Sequence, residues 1–440
     1  MTYEEAKQFL EDCNQYAGEY TLEPLKEMLK RLENPQDKLS FVHIAGTNGK
    51  GSVLAWVSTV LKEAGYRVGR YISPTIFSYR ERIQVNGQFI SREALVRLTE
   101  RIRAAGEQML REGLLHPTMF EAETALAFLY FAEQGCDLIV LECGMGGRLD
   151  ANNVIQNKLA AFFSSVRMDH IGILGDTLSE IAENKAGIIK PGCTVVTMKQ
   201  EPEAERVIQQ KAKQCGCKVV TADPGRVVNR RRGLFRQYFD YGERDGVEIS
   251  LSGEYQFANA ALALEVIDAL KAKGYRIAEE AVRKGLKETV WPGRFTVIAE
   301  EPYVIADGAH NRDAAEKLAE TIRNYLRGKR LIYIMGVLAD KEYDAVIEKT
   351  VRYASEIITV MTPDNVRALP AEELARAVAA HNPHVQAAES IRAAVSRAYE
   401  LAGKDDVILA FGSLSYLGEL ITTVRERKQK NRCGENRYHE

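Results

Sequence analysis

The densest chemical signal in the chain is the segment His43-Ile44-Ala45-Gly46-Thr47-Asn48-Gly49-Lys50-Gly51-Ser52, set between an apolar run and a helical pattern. Glycines at 46, 49 and 51 let successive backbone N–H groups face one concavity. The helix start that follows adds partial positive charge, so phosphate is the natural guest. Lys50 is placed to reach the β- and γ-phosphates, and Ser52 offers a hydroxyl to magnesium. Gly51 separates Lys50 from Ser52, whereas the usual phosphate-binding loop has Lys followed directly by Ser or Thr, so this is a variant. A dinucleotide fingerprint G-x-G-x-x-G cannot be laid on these residues. The alternative is a tight turn that needs glycine for backbone reasons alone, but such a turn has no use for Thr47, Asn48, Lys50 and Ser52.

A second group of residues could hold a cation. The apolar run Asp137 to Leu141 ends in Glu142, followed by Cys143-Gly144-Met145-Gly146-Gly147-Arg148. A carboxylate at the carboxyl end of a buried strand sits where ligands bind in open α/β sheets. It is a magnesium-ligand candidate, and equally a strand-end acid bonded to nearby backbone N–H groups. Asp169-His170 follows the next apolar run in the same manner, with the same two readings open. Hard oxygen ligands and one imidazole suit magnesium when a triphosphate supplies the remaining charge.

Strand-length apolar runs alternate with helical patterns, and the runs are continuously hydrophobic, as parallel strands covered on both faces are. The fold class is therefore α/β. Phe41 to Ala45, Ser52 to Ala64 and Gly69 to Ile72 give a βαβ unit. A helix over Phe120 to Gln134, strands over Asp137 to Leu141, Ala160 to Val166 and Thr194 to Met198, and a helix over Leu178 to Ile189 follow. Between Gly225 and Ser252 the texture turns short, Arg- and Tyr-rich, and predicts antiparallel hairpins at a sheet edge. Helices over Asn259 to Lys273 and Ala281 to Glu288 lead to Trp291-Pro292-Gly293-Arg294. A second βα series follows: Phe295 to Ala306, a helix after Arg312, then Arg330 to Met335, Glu356 to Val360 and Asp406 to Phe411. Proline and glycine place the domain boundary near Thr289 to Gly293. The tail from Arg425 is polar and expected to fray.

The chain has 440 residues, 45% hydrophobic and 27% charged, which fits two or three globular domains and excludes a disordered or low-complexity scaffold. Lys+Arg 59 against Asp+Glu 61 leaves a net charge of -2, which argues against a general nucleic-acid or polybasic membrane binder. No secretory signal or membrane-spanning run is visible, so a soluble, cytoplasmic protein is expected. Seven cysteines in this length do not make a disulfide scaffold, and the one tight pair, Cys215 and Cys217, lacks a second pair to complete a zinc site. They are read as reduced thiols.

Taken together, these segments resemble the folylpolyglutamate synthases, ATP-dependent amide-bond formers of the Mur ligase superfamily. The resemblance spans nearly the whole chain. It is carried by His43 to Ser52, Ser73-Pro74 with Glu81-Arg82, Glu142 to Asp150, and Asp169-His170 with Leu174 to Leu178. Lys185-Ala186-Gly187-Ile188, Gln256 to Leu262, Trp291 to Arg294 and Asp307-Gly308-Ala309-His310-Asn311 continue it. It implies a P-loop-containing, mostly parallel sheet domain with an antiparallel edge over 1–290, a smaller Rossmann-like α/β domain over 291–425, and a polar tail over 426–440. ATP would be bound by Thr47, Asn48, Gly49, Lys50, Gly51, Ser52, Asn259, Arg294 and Asp307. Magnesium would be held by Ser52, Ser73, Glu142 and His170, with Lys185 as a carbamate. Lys50, Lys185 and His310 would serve catalysis, His310 near the incoming amino acid. Without the resemblance, Lys185 reads as a helix-surface lysine with its head in water.

The implied reaction adds L-glutamate to the glutamate side chain of a tetrahydrofolate through an acyl phosphate, with closure of the domains on ATP. The implied partners are folate or dihydropteroate, L-glutamate and ATP, in a monomer without nucleic acid or membrane. A dihydrofolate synthase, or a bifunctional enzyme adding the first glutamate to dihydropteroate, shares the same residues. A cell-wall Mur ligase fits less well, and a nucleotide-dependent switch or motor would need a basic stripe the chain lacks. Two departures stand out: Thr75 where some members have His, and Cys143 where valine is common.

Overall fold

The computed structural model describes residues 1–16 and 21–435. Its backbone divides into two compact units, one of 1–73, 78–226 and 258–289, the other of 74–77, 227–257 and 290–440. In the first, β1 (Phe41–Ala45), β2 (Val68–Tyr71), β3 (Ile83–Val85), β4 (Gln88–Phe89), β5 (Leu138–Glu142), β6 (Lys158–Phe163), β7 (Thr194–Met198) and β8 (Val219–Ala222) form an eight-stranded sheet. Its order is β4-β3-β2-β5-β1-β6-β7-β8. Pairing is parallel from β2 to β8, and β3 and β4 add an antiparallel edge.

Every residue of β1 and β5 is buried, which explains their unbroken apolar sequences. The chain leaves β1 to build strands on one side and later returns on the other, so the strand order reverses at β1. The crevice beyond the carboxyl end of such a strand is where open α/β sheets take ligands. The helix Lys50–Glu63 follows β1 and is buried from Gly51 to Ser58. Its Trp56 is fully buried, and the indole N–H donates to the Leu286 carbonyl at 3.3 Å, so the largest side chain of the helix leaves no orphaned donor.

Two expectations are corrected here. The segment after Gly225 does not extend the large sheet. β9 (Val227–Arg231), β10 (Gln237–Tyr241) and β11 (Arg244–Ile249) make their own three-stranded antiparallel sheet, grouped with the second unit. The reason lies in β10, whose residues alternate between buried and half-buried, so only one face seeks a core. Phe239 on that face meets Phe257 edge-on at 5.7 Å. Phe295 to Ala306 is likewise not one strand. β12 (Thr296–Glu300) and β13 (Tyr303–Ala306) form an antiparallel hairpin turning at Glu301-Pro302, where proline has no N–H to give a ladder.

β14 (Leu331–Met335), β15 (Glu356–Thr359), β16 (Val385–Ala387) and β17 (Val407–Phe411) complete the second unit's six-stranded sheet, in the order β12-β13-β17-β14-β15-β16 and parallel from β13 onward. The polar segment from Arg425 is helical rather than frayed as far as it is described, because it continues the helix Leu417–Glu435, whose Leu420, Ile421 and Val424 are buried. Residues 436–440 lie outside the described residues. The described cysteines are free thiols, mostly buried. Among the described residues no helix is long and apolar enough to cross a membrane.

Candidate active site

The glycine-rich turn emerges from β1 at the strand-order reversal. Gly49 is the N-cap of the helix Lys50–Glu63, with φ of 88° and no side-chain cap of its own. A helix start of this kind, with its partial positive charge, suits an anion. Asn259 lies directly over Gly49: a Cβ at 49 would stand 2.4 Å from Asn259 Oδ1. Glycine is needed here twice, for its left-handed backbone and for the close approach.

The turn is fastened from behind by the end of β6. Thr47 N donates to Ser165 O at 2.6 Å, the Thr47 hydroxyl donates to Arg167 O at 3.1 Å, and Arg167 N donates back to that hydroxyl at 3.0 Å. Ser165 Oγ donates to Asn48 O at 3.3 Å. Thr47 thus acts in this structure as a latch on the turn. Ser52 is fully buried in the helix's first turn.

Lys50 and Lys185 converge on one acceptor. Lys50 Nζ donates to Gly46 O at 3.2 Å and Thr47 O at 3.3 Å, and Lys185 Nζ donates to Gly46 O at 3.0 Å. Lys185 is buried rather than at a helix surface, which overturns the reading from its sequence neighbours alone. Burial, with the Lys50 ammonium adding to it, pushes the Lys185 amine down to about 8.

The second glycine-rich turn positions the helix that carries Lys185. A Cβ on Gly147 would stand 2.6 Å from Lys185 O, and Arg148 N donates to Asn184 O at 2.8 Å. Asp150 shapes this turn by accepting from Gly144 N at 2.8 Å, Met145 N at 3.1 Å and Asn152 N at 3.0 Å. Burial nevertheless raises its carboxyl to about 6. Asn152 Nδ2 donates to Glu142 O at 2.8 Å, and Asn153 Nδ2 ties Arg148 O to Gly187 O. Lys158, driven down to about 7 by burial, donates to Ile188 O at 2.6 Å and Asn153 Oδ1 at 3.2 Å. This network joins the end of β5 to the end of the Lys185 helix.

The proposed metal ligands of the first unit fall around these turns. Glu142 is buried at the end of β5, with Ser73 N 3.4 Å from its Oε2. His170 follows β6 with a left-handed φ of 52°, its Nε2 3.7 Å from Asp169 Oδ2. Carboxylate and hydroxyl oxygens are the donors magnesium prefers, so the residues present fit that ion. A protonated Lys185 would oppose a dication, whereas a carbamate would support it. His43, Cys143 and Asp150 also place donor atoms within 4.8 Å of one another. Here Asp150 is already held by three backbone N–H groups, and Cys143 Sγ lies 3.1 Å from His43 Nε2, so the trio reads as core packing.

In the second unit, Arg294, Asp307 and His310 come together. Asp307 Oδ2 accepts from Tyr255 Oη at 2.6 Å and Phe295 N at 2.9 Å, and Oδ1 accepts from Ala309 N at 2.8 Å. Burial raises the Asp307 carboxyl above the ordinary range despite these donors and the Arg294 charge. Gly308 lets the chain pass Arg294, since a Cβ there would stand 2.3 Å from Nη1. His310 Nδ1 pairs with Gly308 O at 2.8 Å. Tyr255 and the structural role of Asp150 escape residue-level reading. An acid closing a glycine-rich turn is a detectable signal for Asp150, and nothing local marks Tyr255.

The Mur ligase middle domain matches residues 44–267, and the glutamate ligase domain of the Mur ligases matches residues 293–414. A dihydrofolate synthase/folylpolyglutamate synthase of Bacillus subtilis is 34% identical over 427 residues, covering 95% of this chain and 98% of its own. A Mycobacterium tuberculosis folylpolyglutamate synthase solved with ADP superposes with a TM-score of 0.87 at 28% identity, over 96% of this chain and 98% of that one. A folylpolyglutamate synthase complex with AMPPCP and folate gives a TM-score of 0.82 at 29% identity, over 96% and 100%.

Proposed function

The chain belongs to the Mur ligase family, in its folylpolyglutamate synthase/dihydrofolate synthase branch, and from that premise we propose that it is an ATP-dependent ligase adding L-glutamate to the glutamate side chain of a tetrahydrofolate. The observation that carries this reading is the glycine-capped helix start at Gly49, with Lys50 and Lys185 on the Gly46 carbonyl beside it. A carboxylate is a poor electrophile, and oxide a poor leaving group. Attack of the substrate carboxylate on the γ-phosphorus of ATP expels ADP and gives an acyl phosphate. The glutamate amine then adds to the acyl carbon, and phosphate leaves from the tetrahedral intermediate.

The protein's part is to position the reactants and stabilise charge on the phosphoryl oxygens. Gly49 to Ser52 and Asn259 would bind the phosphates. Lys50 would neutralise charge as the γ-phosphoryl group moves, and Arg294, Asp307 and His310 are assigned to nucleotide and amino-acid recognition. Magnesium, held by Ser52, Ser73, Glu142 and His170, would supply further charge neutralisation. Lys185 is assigned a carbamate, because an amine neutral near pH 8 can add carbon dioxide and release a proton. The working form is taken to be a cytoplasmic monomer.

A second activity is favoured by the Bacillus relative, which carries both names: addition of the first glutamate to dihydropteroate. Phosphate release, measured with ATP and magnesium against each pterin acceptor and each amino acid, separates the readings. Release that requires tetrahydrofolate and L-glutamate supports the main reading, and release with dihydropteroate as well makes the enzyme bifunctional. Turnover indifferent to both pterins but stimulated by nucleic acid would overturn it.

A further inference from the structure

The buried carboxylate of Asp307 is hydrogen-bonded to the residue beside Arg294, whose guanidinium is assigned to the nucleotide. Phe295, whose N–H binds Asp307 Oδ2, is the residue next to Arg294. A carboxylate and a guanidinium in a buried setting form a charge-assisted pair stronger than bonds to neutral donors. Arg294 makes no such pair among the described residues. Its Nη1 donates to the neighbouring Gly293 carbonyl at 3.0 Å. Asp307 instead accepts from neutral groups, two backbone N–H donors and the Tyr255 hydroxyl, the last at 2.6 Å the shortest of the three.

We propose that Tyr255 is a positioning residue for nucleotide recognition: its phenol satisfies Asp307 and so keeps the Arg294 guanidinium from being captured as an internal ion pair, leaving it for phosphate. The segment bearing Tyr255 is held for this task. Gln237 Nε2 donates to Gly253 O at 3.2 Å, and Glu254 N donates to Thr321 Oγ1 at 3.1 Å. The Glu254 carboxylate accepts from Arg232 Nε at 2.7 Å and Asn324 Nδ2 at 3.1 Å. The two residues that precede Tyr255 are therefore held in place, which restricts where its ring can go. All these residues belong to the second unit.

The inference rests on the assignment of Arg294 to ATP. The test compares Mg-ATP dissociation constants by calorimetry in the full chain, the Tyr255→Phe variant and the Tyr255→His variant, with steady-state kinetics beside them. Losing the hydroxyl should weaken ATP binding by roughly tenfold, the cost of one buried hydrogen-bond partner. KM for ATP should rise in step, while KM for L-glutamate and kcat at saturating ATP stay within about twofold, since the phosphoryl chemistry is untouched. Tyr255→His, which keeps a donor, should recover most of the affinity. A Tyr255→Phe protein that binds Mg-ATP as the parent does, even with a lowered melting temperature, overturns the proposal, and so does a His variant as weak as the Phe variant. The binding comparison stands whether or not glutamate is ligated, so failure of the ligase reading shows in the turnover assay alone.

Discussion

Lys185 shows how one residue's burial sets its chemistry. Its amine is held near 8 rather than the ordinary 10.5 by burial and by the Lys50 ammonium. Between those two values the unfolded chain binds a proton that the folded chain does not, so stability rises with pH across that window. The contribution is present above about 10.5 and is lost as pH falls through about 8, a span worth on the order of 3 kcal/mol. Chemical denaturation at a series of pH values should therefore show the parent losing stability relative to Lys185→Met as pH falls from about 10.5 to about 8, and equal pH profiles would contradict the assignment. Carbon dioxide added to the buffer should lessen the difference, because the carbamate removes the buried ammonium. None of this was legible locally. The sequence around Lys185 reads as an amphipathic surface helix, and its burial follows from Gly147, which lies close in space and distant in the chain. The places of Lys50 at a helix start and Glu142 at a strand end, by contrast, were legible because a strand end or a glycine-rich turn fixes its own neighbours.

At the scale of elements, the turn after β1 depends on a single backbone geometry. Gly49→Ala would force a left-handed residue costing about 1–2 kcal/mol and drive a methyl group into the Asn259 amide. The variant should lose about that much stability in a urea titration, and lose Mg-ATP affinity in calorimetry by more than tenfold, because the N–H groups of the helix start move with the turn. Adding Asn259→Ala should relieve the clash but not the backbone strain, so a double variant as stable as the parent would show that φ at 49 does not matter. The parallel strands were legible for the same reason the turn was: burial on both faces writes itself as an unbroken apolar run, as in β1 and β5. The hairpins were harder. β10 alternates as any one-sided strand does, and alternation does not say which sheet it joins. Thr296 to Ala306 is apolar enough to be read through, and only Pro302 marks the reversal.

For the whole molecule, the residues assigned to ATP are distributed over both compact units: Gly49 to Ser52 and Asn259 in the first, Arg294 and Asp307 in the second. A ligand that binds only the folded form raises stability by about 2.7 kcal/mol at a hundred times its Kd. If both sets of residues contact the nucleotide, this stabilisation is shared, and scanning calorimetry with Mg-ATP should move the unfolding of both units upward together. A ligand gripped by the first unit alone would shift one transition and leave the other in place. Lys50→Ala supplies the control, since it removes a charge assigned to the phosphates and lies in the first unit. At the same ATP concentration the shift should shrink in that variant, and turnover should fall about a hundredfold or more, the usual cost of losing one charge contact that strengthens in the transition state. Near-normal turnover in Lys50→Ala would remove the lysine from phosphoryl transfer. A single shifted transition in the parent would instead confine the nucleotide to the first unit and return Arg294 and Asp307 to a structural role.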